Sequence, residues 1–388
     1  MGPQADYANA GAAALQRGDA SKAREFFAQA AAGPAPSAQA LLGLAHACRM
    51  LADTAGQVAA LERLLASEPR NIPALIERAD CFAAAGDTRS ASSFYLTAIR
   101  SAPPFGVPRE LAAELDRARQ ACDRYAAEYK DYLMRSLAAR GFDAGRSSAR
   151  FAQSIDIVLG NRRIYLQQPK YYYFPGLPQI QFYERSCFPW FDDVEAATGD
   201  IRDELMAVMQ EPDAFSPYVT GHANRPRNDQ LGLLNNPAWS AFYLWKNGDV
   251  VPENAARCPK TMRALRNAPL AQVHYRSPSI LFSLLKPGAH IPPHNGLINT
   301  RLVCHLPVIV PGQCRFRVGN EERDWVEGSA WAFDDTIEHE AWNRSDRTRV
   351  ILLFDIWRPE LSEEERSLVI ALFEAIDAHS GKKPDWEI

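Results

Sequence analysis

SLLKPGAHIPPHNGLINTRLVCHLPVIVPG, residues 283–312, decides the fold. Its apolar runs are short, and PG closes them at both ends of the stretch, which is strand-and-turn chemistry rather than helix. The same pattern extends outward. AQVHYRSPSILFSLLKPG (271–288), RFRVGNEERDWVEGSAWAFDD (315–335) and RVILLFDIW (349–357) each alternate or run apolar. Several short strands with regular turns over 272–358 predict a jelly-roll sandwich or barrel.

Chemistry-bearing residues gather in the same stretch. The chain has eight histidines, and four of them lie between 290 and 339. His294 and His339 stand 45 positions apart and bracket the strand-rich core. Two histidines at opposite ends of a jelly-roll strand pair can meet in space, and neutral imidazoles suit Fe(II), Zn(II) or Cu(II). Taken singly, each fits a structural role better than a ligand role. His290 precedes His294 by four residues, but Pro292 and Pro293 forbid a helix between them. Extended geometry sets the two about 13 Å apart, too far to share a metal, which leaves His290 beside the site or facing substrate.

Arg349 opens the last strand with Ile351 and Leu353 on its face, so it points into the barrel. A buried arginine without a carboxylate is costly. An incoming dicarboxylate would satisfy it with a paired fork of hydrogen bonds, and Ser283 could add a hydroxyl. Arg301 and His305 are four apart on one strand and share a face.

The rest of the chain bounds the class. It has 388 residues, 47% hydrophobic and 23% charged, with a net charge of −4. That is an ordinary globular composition with no basic field for nucleic acid or anionic lipid. No run approaches the roughly 18 apolar residues of a membrane span. The start, MGPQADYANAGAAALQRGD, lacks the basic and apolar regions of a signal peptide. Asp6 stands where a myristoylation signal wants Ser or Thr. Seven scattered cysteines without a CxxC predict reduced, mostly buried thiols in a cytoplasmic protein and no zinc ribbon.

Residues 5–104 are alanine-rich and repeat at an offset of 34. Gly11, Ala45 and Ala79 align as small residues, Asp19, Asp53 and Asp87 as turn residues, and Phe27, Leu61 and Tyr95 as large ones. Small residues let two helices approach, the turn breaks the chain, and the large residue fills the groove. This resembles three tetratricopeptide repeats, an α-solenoid that either docks a peptide or protein or only buttresses its neighbour. RELAAELDRARQACDRYAAEYKDYLMRSLAAR (109–140) predicts one long amphipathic helix with Leu111, Leu115, Ala118, Cys122, Tyr125 and Tyr129 as its stripe. DAGRSSAR (143–150) is the predicted joint. The chain is thus divided into 5–104 repeats, 105–150 capping helix and joint, and a 151–388 domain. In the last of these, EAATGDIRDELMAVMQE (195–211) and ELSEEERSLVIALFEAIDAHSG (360–381) predict flanking helices, so the class is α+β.

The block 283–312 together with WAFDDTIEHEAWNRSDRTRVILLFDIWRP (331–359) resembles the aspartyl/asparaginyl β-hydroxylase family. That resemblance implies a double-stranded β-helix using Fe(II), 2-oxoglutarate and O2. It implies His294 and His339 as iron ligands, Arg349 on the distal carboxylate of 2-oxoglutarate with Ser283 nearby, His305 in contact with this cosubstrate, and Arg301 close to cosubstrate or substrate. Most such oxygenases add a carboxylate ligand; the family has glycine there, as Gly296 is here. Water would fill that place, and Asp335 is the candidate to hold it, with a turn-capping role beside Asp334 as the competing reading. The family pattern carries a further arginine where Val303 stands, so an aspartyl substrate does not follow. The implied reaction is hydroxylation of an unactivated carbon, the β-carbon of an amino acid residue in a peptide or protein; a free amino acid, a carrier-bound intermediate and a lipid headgroup stay open. The rivals are a halogenase using the open iron position and a non-catalytic peptide-binding adaptor.

Overall fold

The computed structural model describes residues 3–211, 213–221 and 232–380. The chain parts into two compact units between Leu159 and Gly160.

The first unit is built from helix pairs: α1 (Pro3–Gln16) with α2 (Ala20–Ala30), α3 (Ala38–Met50) with α4 (Thr54–Ser67), and α5 (Ile72–Ala84) with α6 (Thr88–Ser101). The aligned aspartates explain the break inside each pair. Asp19, Asp53 and Asp87 accept hydrogen bonds from the backbone N–H groups of Lys22, Gly56 and Ser90 at 3.1, 2.9 and 2.9 Å. Each is an N-cap contributing about 1 kcal/mol to its helix. The residue before each turns left-handed: Gly18 at φ 79°, Ala52 at 55° and Gly86 at 80°. The small and large positions also interlock, since a Cβ on Gly11 would lie 2.9 Å from the ring of Phe27. Helix α7 (Arg109–Ala138) follows and packs Leu115, Ala118 and Ala121 with Leu75, Ile76 and Tyr95 of the last pair. Its stripe ends before Tyr129, which is 51% exposed; 30 residues make a helix of about 45 Å, longer than the 14-residue partner it packs on. Helix α8 (Ala149–Val158) ends the unit.

The second unit places short helices α9 (Phe191–Ala196), α10 (Thr198–Val208), α11 (Pro252–Ala255) and α12 (Pro259–Ala264), and the longer α13 (Glu363–Ser380), around two antiparallel sheets. Its strands are β1 (Ser216–Pro217), β2 (Trp239–Lys246), β3 (Asp249–Val250), β4 (Ile280–Leu285), β5 (His290–His294), β6 (Arg301–Ile309), β7 (Cys314–Val318), β8 (Glu321–Asp324), β9 (Trp331–Phe333), β10 (His339–Asn343) and β11 (Arg349–Trp357). One sheet runs β1-β2-β4-β11-β6-β9, with β3 on β2; the other runs β5-β10-β7-β8. From β4 onward the chain passes back and forth between them: β4, β6, β9 and β11 in the first, β5, β7, β8 and β10 in the second.

Period-two alternation sorts the residues of β6 and β11. Leu302, Cys304, Leu306, Leu352, Phe354 and Ile356 face the helices with Ile201, Leu205 and Val208. The odd-numbered residues Arg301, Val303, His305, Arg349, Ile351, Leu353 and Asp355 face the other way and line a pocket. A one-residue slip of either strand would bury the wrong set, so the apolar face fixes the register on which the pocket depends. Among the described residues no helix is long and apolar enough to cross a membrane.

Candidate metal and anion site

His294 closes β5, His339 opens β10, and the two are direct partners across the antiparallel pair. Opposed residues in such a pair are about 4.5–5.5 Å apart at Cα, so strand register alone joins these distant positions. Their ring centroids are 4.1 Å apart. Each Nδ1 lies against the backbone carbonyl two residues back: Pro292 O at 2.8 Å and Ile337 O at 3.1 Å. A carbonyl only accepts, so both protons are assigned to Nδ1, and each Nε2 is left with a free lone pair. Burial holds the His294 pKa down at about 4. Burial, with His294 itself adding to it, holds His339 well below its ordinary value. Both are neutral at neutral pH, the form that binds a metal.

Among the described residues no group of three His, Cys, Asp or Glu side chains converges as a metal site. Gly296 accounts for part of this. A Cβ there would lie 2.0 Å from Oδ2 of Asp335, and the Gly296 N–H donates to the Asp335 backbone carbonyl at 2.6 Å. The space beside Gly296 is filled by a carboxylate from another part of the chain.

Asp335 is 4% exposed, and its Oδ1 has no hydrogen-bond partner among the described residues. Its Oδ2 accepts from Arg301 Nη2 at 3.0 Å, while Arg301 Nη1 donates to Asp355 Oδ1 at 2.6 Å. Burial pushes the Asp335 carboxyl up to about 7 although Arg301 opposes this. Turn capping falls to its neighbour: Asp334 Oδ1 accepts from Thr336 N and Oγ1 at 3.0 and 2.6 Å, and Asp334 Oδ2 accepts from Arg358 at 2.9 Å.

The same pocket is lined by Arg349, which is 1% exposed. Among the described residues its Nε and Nη1 have no hydrogen-bond partner. Its guanidinium carbon lies 5.1 Å from the ring centroid of Trp325. Burial pulls its pKa down to about 10. His305 is also buried there, packed against Phe333 and Phe316 at 4.8 and 5.1 Å and Trp325 at 5.3 Å, with Nδ1 unpartnered among the described residues. Burial first, and Arg349 second, hold it well below its ordinary pKa. Ser283 Oγ accepts from the indole of Trp239 at 3.1 Å, so its own proton is available to a ligand. Trp325 Nε1 is a further buried donor without a partner among the described residues.

All seven residues singled out in the sequence line this one pocket, which encloses about 990 Å³ of atom-free space, part of it open to solvent. Buried donors without partners among the described residues and two free imidazole nitrogens, in one pocket, fit a metal chelated by a small dianion. His290 lies elsewhere, stacked on Trp342 and 2.9 Å from Glu340. The sequence reading missed Asp355, Trp325, Trp239 and Tyr218, which stacks on Trp239 at 4.0 Å. Asp355 had a signal: it shares the strand face of Arg349, three alternations on. The tryptophans and Tyr218 reach the pocket through tertiary pairing and carry no local mark.

Residues 195–359 match the family model described as Aspartyl/Asparaginyl beta-hydroxylase. The human aspartyl/asparaginyl beta-hydroxylase is 35% identical over 175 residues, 44% of this chain and 21% of that protein. The Rhizobium tropici ornithine lipid ester-linked acyl 2-hydroxylase is 34% identical over 190 residues, 47% of this chain and 62% of that protein. The aspartate beta-hydroxylase domain-containing protein 2 of Xenopus tropicalis is 29% identical over 216 residues, 55% of this chain and 56% of that protein. The match therefore spans less than two thirds of the length of each of these relatives.

Proposed function

We propose that the second unit, whose residues 195–359 match the aspartyl/asparaginyl β-hydroxylase family model, is an Fe(II)- and 2-oxoglutarate-dependent dioxygenase. It hydroxylates an unactivated carbon, the β-carbon of an amino acid residue in a peptide or protein. His294 and His339 would hold the metal through Nε2. With 2-oxoglutarate and O2, iron(II) supplies C–H hydroxylation, chemistry that side chains alone do not perform. The chain's own residues bind, orient and exclude water. Arg349 would pair with the distal carboxylate of 2-oxoglutarate, with Ser283, His305 and the Trp325 indole as further polar contacts. Asp335, with its unpaired Oδ1, would hold water where Gly296 offers no carboxylate. The aromatic wall of Phe316, Trp325 and Phe333 keeps the cosubstrate end dry, which strengthens each polar contact there.

One observation carries this reading: Arg349 is a fully buried cation whose Nε and Nη1 have no partner among the described residues, in the same pocket as the histidine pair. A buried charge without a partner is too costly to persist unless a ligand brings the counter-charge. A zinc or iron enzyme without a keto acid would leave Arg349 without a role.

The passage of strands between two sheets supports a double-stranded β-helix. The helix pairs repeating every 34 residues fit tetratricopeptide-like repeats, and a substrate peptide docked by them is part of the proposal. So is the division into 5–104, 105–150 and 151–388.

The test loads the protein anaerobically with Fe(II) and 2-oxoglutarate, adds cell extract and O2, and follows succinate and products gaining one oxygen by mass spectrometry. Wild type should give both, and His294→Ala or His339→Ala neither. Full succinate formation by either variant would refute the ligand assignment.

A further inference from the structure

The resemblance puts Arg301 near cosubstrate or substrate, yet both of its terminal nitrogens donate inside the protein, and only Nε lacks a partner among the described residues. Its side chain is 10% exposed, and it spans two carboxylates that are themselves 6% and 5% exposed, Asp335 and Asp355. The three come from distant parts of the chain: the first residue of β6, the turn between β9 and β10, and the end of β11. Asp355 is anchored in turn, since its Oδ2 accepts from the Ser279 N–H at 2.8 Å. A line of contacts therefore runs from Ser279 through Asp355 and Arg301 to Asp335, every member of it lining the one pocket.

The line ends at the place where Gly296 has no side chain. Asp335 Oδ2 occupies that place, and a glycine at 296 is what makes room for it. A carboxylate aimed there without a counter-charge would turn away or stay protonated. Arginine suits the task because its planar fork can donate to two carboxylates at once; a lysine ammonium cannot keep that geometry.

We infer that Arg301 is a positioning residue: braced by Asp355, it holds the Asp335 carboxylate beside the histidine pair, in the space that Gly296 leaves, and acts on the metal only through Asp335. This rests on the histidine pair being the metal site. It goes further by giving Arg301 a task toward Asp335 and by giving Asp355 a task toward Arg301.

The test is a double-mutant cycle read on metal affinity, with Co(II) as the probe and its visible absorption as the signal. Wild type, Arg301→Gln, Asp335→Asn and the double variant are titrated anaerobically. Losing a partner that orients a metal site typically costs roughly 10–100-fold in affinity. Arg301→Gln and Asp335→Asn should each weaken Co(II) about tenfold or more and alter its absorption in the same way. The double variant should be no weaker than Asp335→Asn alone, within about twofold, because the two act as one unit. Losses that multiply, or an unchanged Co(II) affinity in Arg301→Gln, would overturn the inference. If Arg301→Gln does not fold, Arg301→Lys carries the test, with a smaller loss that must vanish in the Asp335→Asn background. Wild type failing to bind Co(II) would sink the metal site itself; wild type binding with multiplying losses would sink only the positioning role.

Discussion

Arg301 and Arg349 line the same pocket, 8% and 1% exposed, and the fold provides for them differently. Arg301 donates to Asp335 and Asp355 at 3.0 and 2.6 Å through its two terminal nitrogens, with only Nε unpartnered among the described residues. Arg349 has an aromatic ring within reach and, among the described residues, no partner for Nε or Nη1. Burial works against both charges. For Arg301 the two carboxylates outweigh it and hold its pKa above the ordinary value; for Arg349 nothing does, and its pKa falls to about 10. The difference separates a strut from a receptor. A charge paired twice inside the protein contributes to the fold, whereas a bare one costs stability and is explained by a counter-charge from outside.

That contrast has a direct consequence for stability. Arg301→Met leaves two carboxylates buried without their cation and should destabilise the ligand-free protein by about 3–5 kcal/mol. Arg349→Met removes an unpaired charge into an aromatic setting and should be neutral or stabilising, by up to about 4 kcal/mol. Urea unfolding of the two metal-free variants measures both. Equal destabilisation would erase the distinction.

A smaller effect comes from the histidine end. His294 is held at a pKa of about 4, chiefly by burial, against an ordinary value near 6.5. The folded state resists protonation there, so the stability it contributes is complete above pH 6.5 and is lost as pH falls toward 4. Metal-free wild type should therefore lose about 3 kcal/mol relative to His294→Asn across that window. Parallel pH curves would show that His294 is not held neutral. Smallest is Gly296→Ala, whose Cβ would meet Asp335 Oδ2 at 2.0 Å. Overpacking of this kind costs about 1–3 kcal/mol, and the displaced carboxylate should weaken Co(II) binding as well. A variant with wild-type stability and Co(II) affinity would mean that the space beside Gly296 is not contested.

The two units differ in what their sequences disclose. The repeat is local, so its period was legible. Asp19, Asp53 and Asp87 each accept from the backbone N–H three residues on, and alignment at an offset of 34 brings them together. In the strand-rich unit, alternation made the pocket faces of β6 and β11 readable, and with them Arg301, His305 and Arg349. It could not tell which of two buried arginines has a partner, because Asp335 and Asp355 reach Arg301 from 34 and 54 residues away. Nor could it separate Asp334 from Asp335, adjacent residues of which one caps Thr336 and pairs with Arg358 while the other pairs with Arg301. Trp239 and Trp325 enter through pairings between distant segments, where no local periodicity reports them.

Arg349 as the receptor for an external dicarboxylate is the claim on which most depends. It is tested by anaerobic calorimetry of 2-oxoglutarate titrated into Fe(II)-loaded protein. Wild type should bind one equivalent, and Arg349→Met should bind about a hundredfold or more weakly, as expected for a charge partner worth about 3–5 kcal/mol. Binding of equal strength by wild type and Arg349→Met, or no binding by wild type, would contradict it.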